Sequence, residues 1–326
     1  MRIDSIVLLF ACAALSVDAR AQAPSISTGQ AYPAKAIRLV VGFAAGGGTD
    51  LVARIVAQKM AQSLGQNVIV DNRGGAQGAI AIERVVASPP DGYTMLMMPA
   101  TIAVLPAMRA DLPYDIERAL APISLVATGP GILAVHPSVP VRNARELIAL
   151  ARAKPGVLNY GSSGVGASTH LKAELFKSMA KLNIVMVPYK GTAELAVATA
   201  SGEVDLSFPS LTAALPMMGA KKIKALGVTS AKRTSLAPEL PTVSETGLPG
   251  YEHMGWYGMF APAAVPKEIV ARLNAAIASA MNAPDMKDVL AKDGFEPKVN
   301  SPEQFAAFMR AEIAQNAKLI KASGVK

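Results

Sequence analysis

The feature that most constrains this chain is an alternation. Short β-branched runs are followed, again and again, by stretches whose apolar residues recur at three- and four-residue steps. Ile37–Val41 opens the series. Residues 49–64 follow it as a helix, with Leu51, Val52, Ile55, Val56 and Met60 on one face and Gly65 placed to end it. The strand pattern returns at 67–70, 93–98, 133–135, 184–187, 204–208 and 223–228. Helical stretches at 79–86, 144–153, 169–179, 193–200 and 211–218 lie between these runs. Such alternation predicts an α/β fold of mostly parallel sheets flanked by helices.

The tail breaks the pattern. A helix is expected from Pro266 to about Asn282. Ser301-Pro302-Glu303-Gln304 then forms a capping box with proline at the first helical position. In the helix it starts, Phe305, Phe308, Met309, Ile313 and Leu319 face inward. Two helix-rich segments after the last strand have to pack somewhere. A chain that leaves one lobe, builds a second and returns accommodates them. The crossings fall near Gly129-Pro130-Gly131 and 248–252, both rich in Gly and Pro. The expected division is therefore 24–129 with 251–326 for the first lobe and 130–250 for the second.

Residues 1–23 read as a removable leader. Arg2 supplies charge, 6–15 is apolar, and Ala21-Gln22-Ala23 has the form of a cleavage site, so cleavage is expected after Ala23. Cys12, the single cysteine, leaves with it. A lipid anchor on Leu9-Phe10-Ala11-Cys12 is the poorer reading, because Phe10 is bulky and the preceding apolar run short. The mature chain then has no disulfide and no cysteine–metal chemistry. Export without disulfides suits a bacterial periplasm. With 51% apolar and 17% charged residues, disorder is excluded. The net charge of +8 is spread thinly and aromatics are only 5%, which argues against a nucleic-acid binder.

Two glycine loops join strands to helices where an anion can sit: Gly42–Asp50 and Tyr160–Thr169. First-turn backbone N–H groups are free and carry partial positive charge, glycine lets that backbone approach a ligand, and hydroxyls add donors. Such a turn binds carboxylate or phosphate without needing Lys or Arg. Either loop alone could be a structural turn. One from each lobe, facing across a cleft, makes a two-sided clamp. Substituting Gly47 by valine is expected to weaken binding at least tenfold, about 1.4 kcal/mol.

Sharper chemistries fail. Gly46–Asp50 lacks the Lys-Ser/Thr of a P-loop, Gly164–Thr169 lacks the third glycine of a dinucleotide fingerprint, and no G-x-S-x-G elbow occurs. His136, His170 and His253 show no metal-ligand spacing. No cofactor, metal or catalytic residue is expected.

The chain resembles the Bug family, the extracytoplasmic solute receptors of tripartite tricarboxylate transporters. The resemblance is carried by Tyr32-Pro33, by Ile37–Val41 leading into Gly46-Gly47-Gly48-Thr49-Asp50, and by Asp71-Asn72-Arg73 and Pro90–Thr94. It continues through Leu112-Pro113-Tyr114-Asp115, Tyr160-Gly161-Ser162 with Gly164, Val187–Gly191, Pro241-Thr242-Val243 with Glu245 and Gly247, and Trp256 with Ala261-Pro262. It implies a two-lobed periplasmic binding protein of the Venus-flytrap type that closes on a small carboxylate and delivers it to a two-component membrane permease. It also implies ligand contacts from Gly46, Gly47, Gly48, Thr49 and Asp50 on one side, and from Ser162, Ser163, Gly166, Ser168 and Thr169 on the other. Asp50 is better suited to capping the helix or holding a bridging water. His170, opening the second helix, is a possible donor. Thr101 is the polar residue of an otherwise apolar segment, 99–104, and joins the ligand contacts.

Three departures bear on the ligand: Ala44-Ala45 stands where many relatives have Pro-Pro, Pro209 where an acidic residue is common, and the segment 99–104 is less polar than usual. Together they favour a carboxylate with an apolar or aromatic body over an amino acid. A monomer is expected. Two other functions remain open, an exported hydrolase using Ser163 with His170 and a ligand sensor for a membrane receptor.

Overall fold

A computed structural model describes residues 32–189, 191–292 and 294–323. The leader, its cleavage site and Cys12 lie outside these residues. Two sheets organise the rest. The first contains β1 (Ile37–Val41), β2 (Val68–Asn72), β3 (Thr94–Pro99), β4 (Leu120–Pro130), β10 (Met254–Pro262) and β11 (Glu296–Pro297), in the order β11-β4-β10-β3-β1-β2. The second contains β5 (Ile132–Val135), β6 (Asn159–Ser162), β7 (Val185–Pro188), β8 (Leu206–Ser207) and β9 (Lys224–Val228), in the order β7-β6-β8-β5-β9. The helices are α1 (Gly48–Leu64), α2 (Ala79–Val86), α3 (Leu105–Met108), α4 (Ile116–Ala119), α5 (Ala144–Ala153) and α6 (Ser168–Ala180). They continue with α7 (Thr192–Ser201), α8 (Leu211–Gly219), α9 (Val243–Thr246), α10 (Lys267–Met281), α11 (Met286–Ala291) and α12 (Pro302–Ser323). None is long and apolar enough to cross a membrane among the described residues.

The sheets are mixed, which corrects the expectation of mostly parallel pairing. β1 runs parallel to β2 and β3, and β6 to β7 and β8. β10 is antiparallel to β3 and β4, β11 to β4, and β5 to β8 and β9. The reason is topological. β4 leads out of the first sheet and β10 leads back into it, and these two strands pair with each other in opposite directions.

Periodicity places the helices well. On α1 the buried set is Val52, Ala53, Val56, Ala57, Met60 and Leu64, and Gly65 closes the helix at φ 67° by donating its N–H to the Ala61 carbonyl. Leu51, read as part of that face, is exposed instead. The box at the start of α12 forms as expected: Gln304 N–H donates to the Ser301 hydroxyl and Ser301 N–H to Gln304 Oε1.

Each sheet has its own core. Val40, Ile82, Leu96, Ile102, Trp256, Phe260, Phe305 and Met309 pack on the first, Leu133, Tyr160, Phe176, Phe208 and Tyr251 on the second. α12 belongs to both, starting with Phe305 and Met309 in the first core and reaching the second with Leu319.

The crossings are laced together. Gly131 N–H donates to the Thr229 hydroxyl at 2.8 Å, which donates to the His253 carbonyl at 2.7 Å, while His253 N–H donates to the Thr229 carbonyl at 2.8 Å.

Candidate functional site

The loop from β1 to α1 is shaped by a buried carboxylate. Asp50 accepts hydrogen bonds from the Gly46 N–H at 2.9 Å, from Arg54 Nε at 3.0 Å and from Asn72 Nδ2 at 3.0 Å. Gly46 sits at φ 83°, the left-handed region that glycine enters without strain. Burial alone would raise the Asp50 carboxyl, but its bonds to Arg54, Gly46 and Asn72 outweigh that and hold it below its ordinary value. Asp50 therefore organises the turn from behind. Asp50→Ala is expected to cost about 1 kcal/mol of stability at neutral pH, a modest loss because Arg54 is half exposed and resolvates. Because the native carboxyl is depressed, the stability difference from wild type should be full above the ordinary value near 3.8 and should close as pH falls below it. Paired urea melts at pH 7 and pH 3 measure this, and an unchanged gap would count against it.

The loop from β6 to α6 is tied by hydroxyls. Thr169 Oγ1 accepts the Ser163 N–H at 2.9 Å and lies 2.8 Å from Ser163 Oγ, and Ser162 Oγ donates to the Gly164 carbonyl at 2.8 Å. Gly166 N–H donates to His170 Nδ1 at 3.2 Å. His170 is fully buried, and burial lowers its pKa against the opposing pull of Glu174, so the ring is a neutral acceptor. Its Nδ1 holds the loop, and its Nε2 is buried without a hydrogen-bond partner. It is also bonded to Gly166 and not to Ser163, whose hydroxyl partner is Thr169. A nucleophile–base pair is therefore not assembled there.

Both loops reach one cavity of about 330 Å³. Gly48 lines it from the first, Ser163, Ser168 and Thr169 from the second, and Thr101 from the turn after β3. The other expected contacts, Gly46, Gly47, Thr49, Asp50, Ser162, Gly166 and His170, are not in the lining. The first-turn amides of α1 and α6 have no intrahelical carbonyl to bind. Two lining hydroxyls, Thr101 Oγ1 and Ser168 Oγ, are buried without a hydrogen-bond partner, each a cost of about 1–3 kcal/mol that an acceptor in the cavity would remove. Trp256, Tyr257, Phe295, Pro99 and Ala100 give the remaining wall an apolar character, with the Tyr257 and Phe295 rings 4.8 Å apart.

Sequence reasoning missed several lining groups. Ser210 and Thr212 come from the start of α8, Gly255–Tyr257 from β10, and Gly294 and Phe295 from the segment before β11. Lys172 is the most consequential. From sequence, the glycine turns bind an anion without needing Lys or Arg, and the described lining of the cavity includes Lys172. The side chain is 4% exposed, and its Cε and Nζ lie 2.9 Å from where a Cβ on Gly131 would stand. Burial brings its pKa down to about 8. The signal was present: Lys172 follows Ser168 by four residues and Thr169 by three, which puts all three on one helical face. Among the described residues no trio of His, Cys, Asp or Glu is placed to hold a metal ion.

Residues 52–325 match the family described as "Tripartite tricarboxylate transporter family receptor". The chain is 38% identical over 291 residues to the "UPF0065 protein in tcbD-tcbE intergenic region" of Pseudomonas sp. (strain P51), covering 89% of this chain and 87% of that one. Among solved structures it is similar to "R. palustris Rpa4515 with adipate", with a TM-score of 0.77, 37% identity, and coverage of 90% of this chain and 99% of that one. It is likewise similar to the "periplasmic binding protein BugD", with a TM-score of 0.73, 33% identity, and coverage of 90% and 99%. Two mixed sheets with helices on their faces are thus the two-lobed binding-protein fold, and the chain belongs to the Bug, or TctC, receptor family of tripartite tricarboxylate transporters.

Proposed function

We propose that the mature chain is a periplasmic binding protein, and not an enzyme, that captures a small carboxylate with an apolar or aromatic body and delivers it to a two-component permease. The observation that carries this is the shared cavity. Gly48 from one lobe and Ser163, Ser168 and Thr169 from the other line it, with unpartnered hydroxyls on Thr101 and Ser168 and no carboxylate among its described lining residues. Adipate, bound in the R. palustris relative, has charged ends on an aliphatic chain. The lobes are residues 24–129 with 251–326, and 130–250. They hinge at the Gly131–Thr229–His253 lacing, and Tyr251 and Leu319 reach across into the second core. Closure follows from contacts a ligand makes with both lobes at once. The molecule acts as a monomer and reaches the periplasm through its cleaved leader.

Thermal melts with adipate, benzoate, aspartate and glutamate test the reading. A ligand at a hundred times its Kd stabilises the native state by about 2.7 kcal/mol. A rise of about 5 °C or more is expected with adipate or benzoate and none with the amino acids. Micromolar binding of aspartate or glutamate with none of the other carboxylates overturns it.

A further inference from the structure

A charge buried without an opposite partner is costly, and proteins keep one where something else supplies the partner. Lys172 is the basic residue among the described lining of the cavity, and no acidic residue accompanies it. It is 4% exposed, and desolvation lowers the pKa of its ammonium. Its Cε and Nζ lie beside Gly131, which the Pro209 carbonyl also approaches at the foot of α8, whose Ser210 and Thr212 line the cavity too. The lysine is thus one helical turn beyond Ser168, away from the free amides at the start of α6.

Building on the carboxylate reading above, we propose that Lys172 is the charge-selecting residue of the site. Its ammonium pairs with one carboxylate of a dicarboxylate, while the helix turns and the Thr101 and Ser168 hydroxyls take the other. A dianion is then preferred over a monoanion of the same chain length. A zwitterion is disfavoured, since no acidic side chain among the described lining residues can receive its ammonium. Proton linkage gives the proposal a second signature. Near Lys172 are His253, whose ring feels its charge, Tyr251, whose hydroxyl donates to the Lys172 carbonyl, and Tyr257 in the same cavity wall. Burial lowers His253 to about 3 and raises Tyr251 well above its ordinary value, so both stay neutral from pH 7 to 9.5. Of Lys172, His253 and Tyr251, the lysine is the one that changes charge there, and its contribution to carboxylate affinity declines as pH rises above about 8.

Trp256, the single tryptophan, lines the cavity and reports occupancy by fluorescence. Titrations with adipate and hexanoate, six-carbon chains with two charges and one, are run on wild type and on Lys172→Met at pH 7, and on wild type also at pH 9.5. Wild type is expected to bind adipate at least tenfold tighter than hexanoate. In Lys172→Met adipate should weaken tenfold or more while hexanoate changes less than threefold. At pH 9.5 wild type should lose adipate affinity more than tenfold and keep its hexanoate affinity, a result that stands even if the variant does not fold. Equal binding of both acids by wild type, a preference retained by Lys172→Met, or a flat pH profile overturns charge selection and leaves carboxylate capture intact. A wild type that binds neither adipate, hexanoate nor any other carboxylate overturns the underlying reading, and this inference with it.

Discussion

Gly48→Val should weaken adipate binding about thirtyfold, or about 2 kcal/mol, in a protein that still folds. Gly48 is the first residue of α1, where a side chain costs the helix little, and it lines the cavity. A Cβ there would stand 2.7 Å from the Tyr257 hydroxyl, closer than such contacts come. Tyr257 is nearly buried and leans on Phe295, so it yields only by disturbing a second wall of the same cavity. The valine methyls also stand between a ligand oxygen and the amides of the first turn. Gly47→Ala is the matched control. Gly47 has φ −84° and ψ 167°, which any residue adopts, and its nearest neighbour would be the Ala44 carbonyl at 3.5 Å. Gly47 is absent from the described lining, whereas Gly48 is part of it. Calorimetry with adipate on both variants, each checked by melting temperature, measures the contrast. Wild-type affinity in a folded Gly48→Val protein would remove the first loop from the clamp.

How much of this could be read from the chain depends on whether the information was local. Helices with a buried face announce themselves by spacing, and the reciprocal Ser301–Gln304 cap is visible because both partners lie within four residues. β4 and β10 were not anticipated, although they are the longest strands. Pro122, Gly129 and Pro130 interrupt one, and Gly255, Gly258 and Pro262 the other, so propensity argues against strands that tertiary pairing imposes. Gly258 shows why the sheet wants such residues: a Cβ there would run into the Phe305 ring. The cavity follows the same division. Its helix-start walls were legible from the two glycine loops. Gly255–Tyr257, Ser210 and Phe295 reach it through strand crossings that no short window contains. Lys172 lies between these cases, since its spacing from Ser168 was readable but its burial was not.

Phe305→Ala should be the most damaging single change in the first lobe, costing about 3–5 kcal/mol. The ring is fully buried, with centroids 5.0 Å from Phe260, 5.9 Å from Trp256 and 6.3 Å from Phe308. Removing it deletes the contacts that seat α12 on β10, and the facing position, Gly258, has no side chain to fill the space. The damage should not stop at that core. Trp256 packs edge-on against Phe305, donates its indole N–H to Glu312 on α12 at 3.0 Å and also lines the cavity. α12 continues to Leu319 in the second core, so loosening its start weakens the connection between the lobes. The expected result is an earlier urea midpoint for both lobes, with adipate affinity falling as well. Urea denaturation followed by Trp256 emission and by far-UV circular dichroism gives the two readings. A loss below about 1 kcal/mol would show that the space collapses without cost. A shift in the Trp256 signal alone would show that α12 does not couple the two cores.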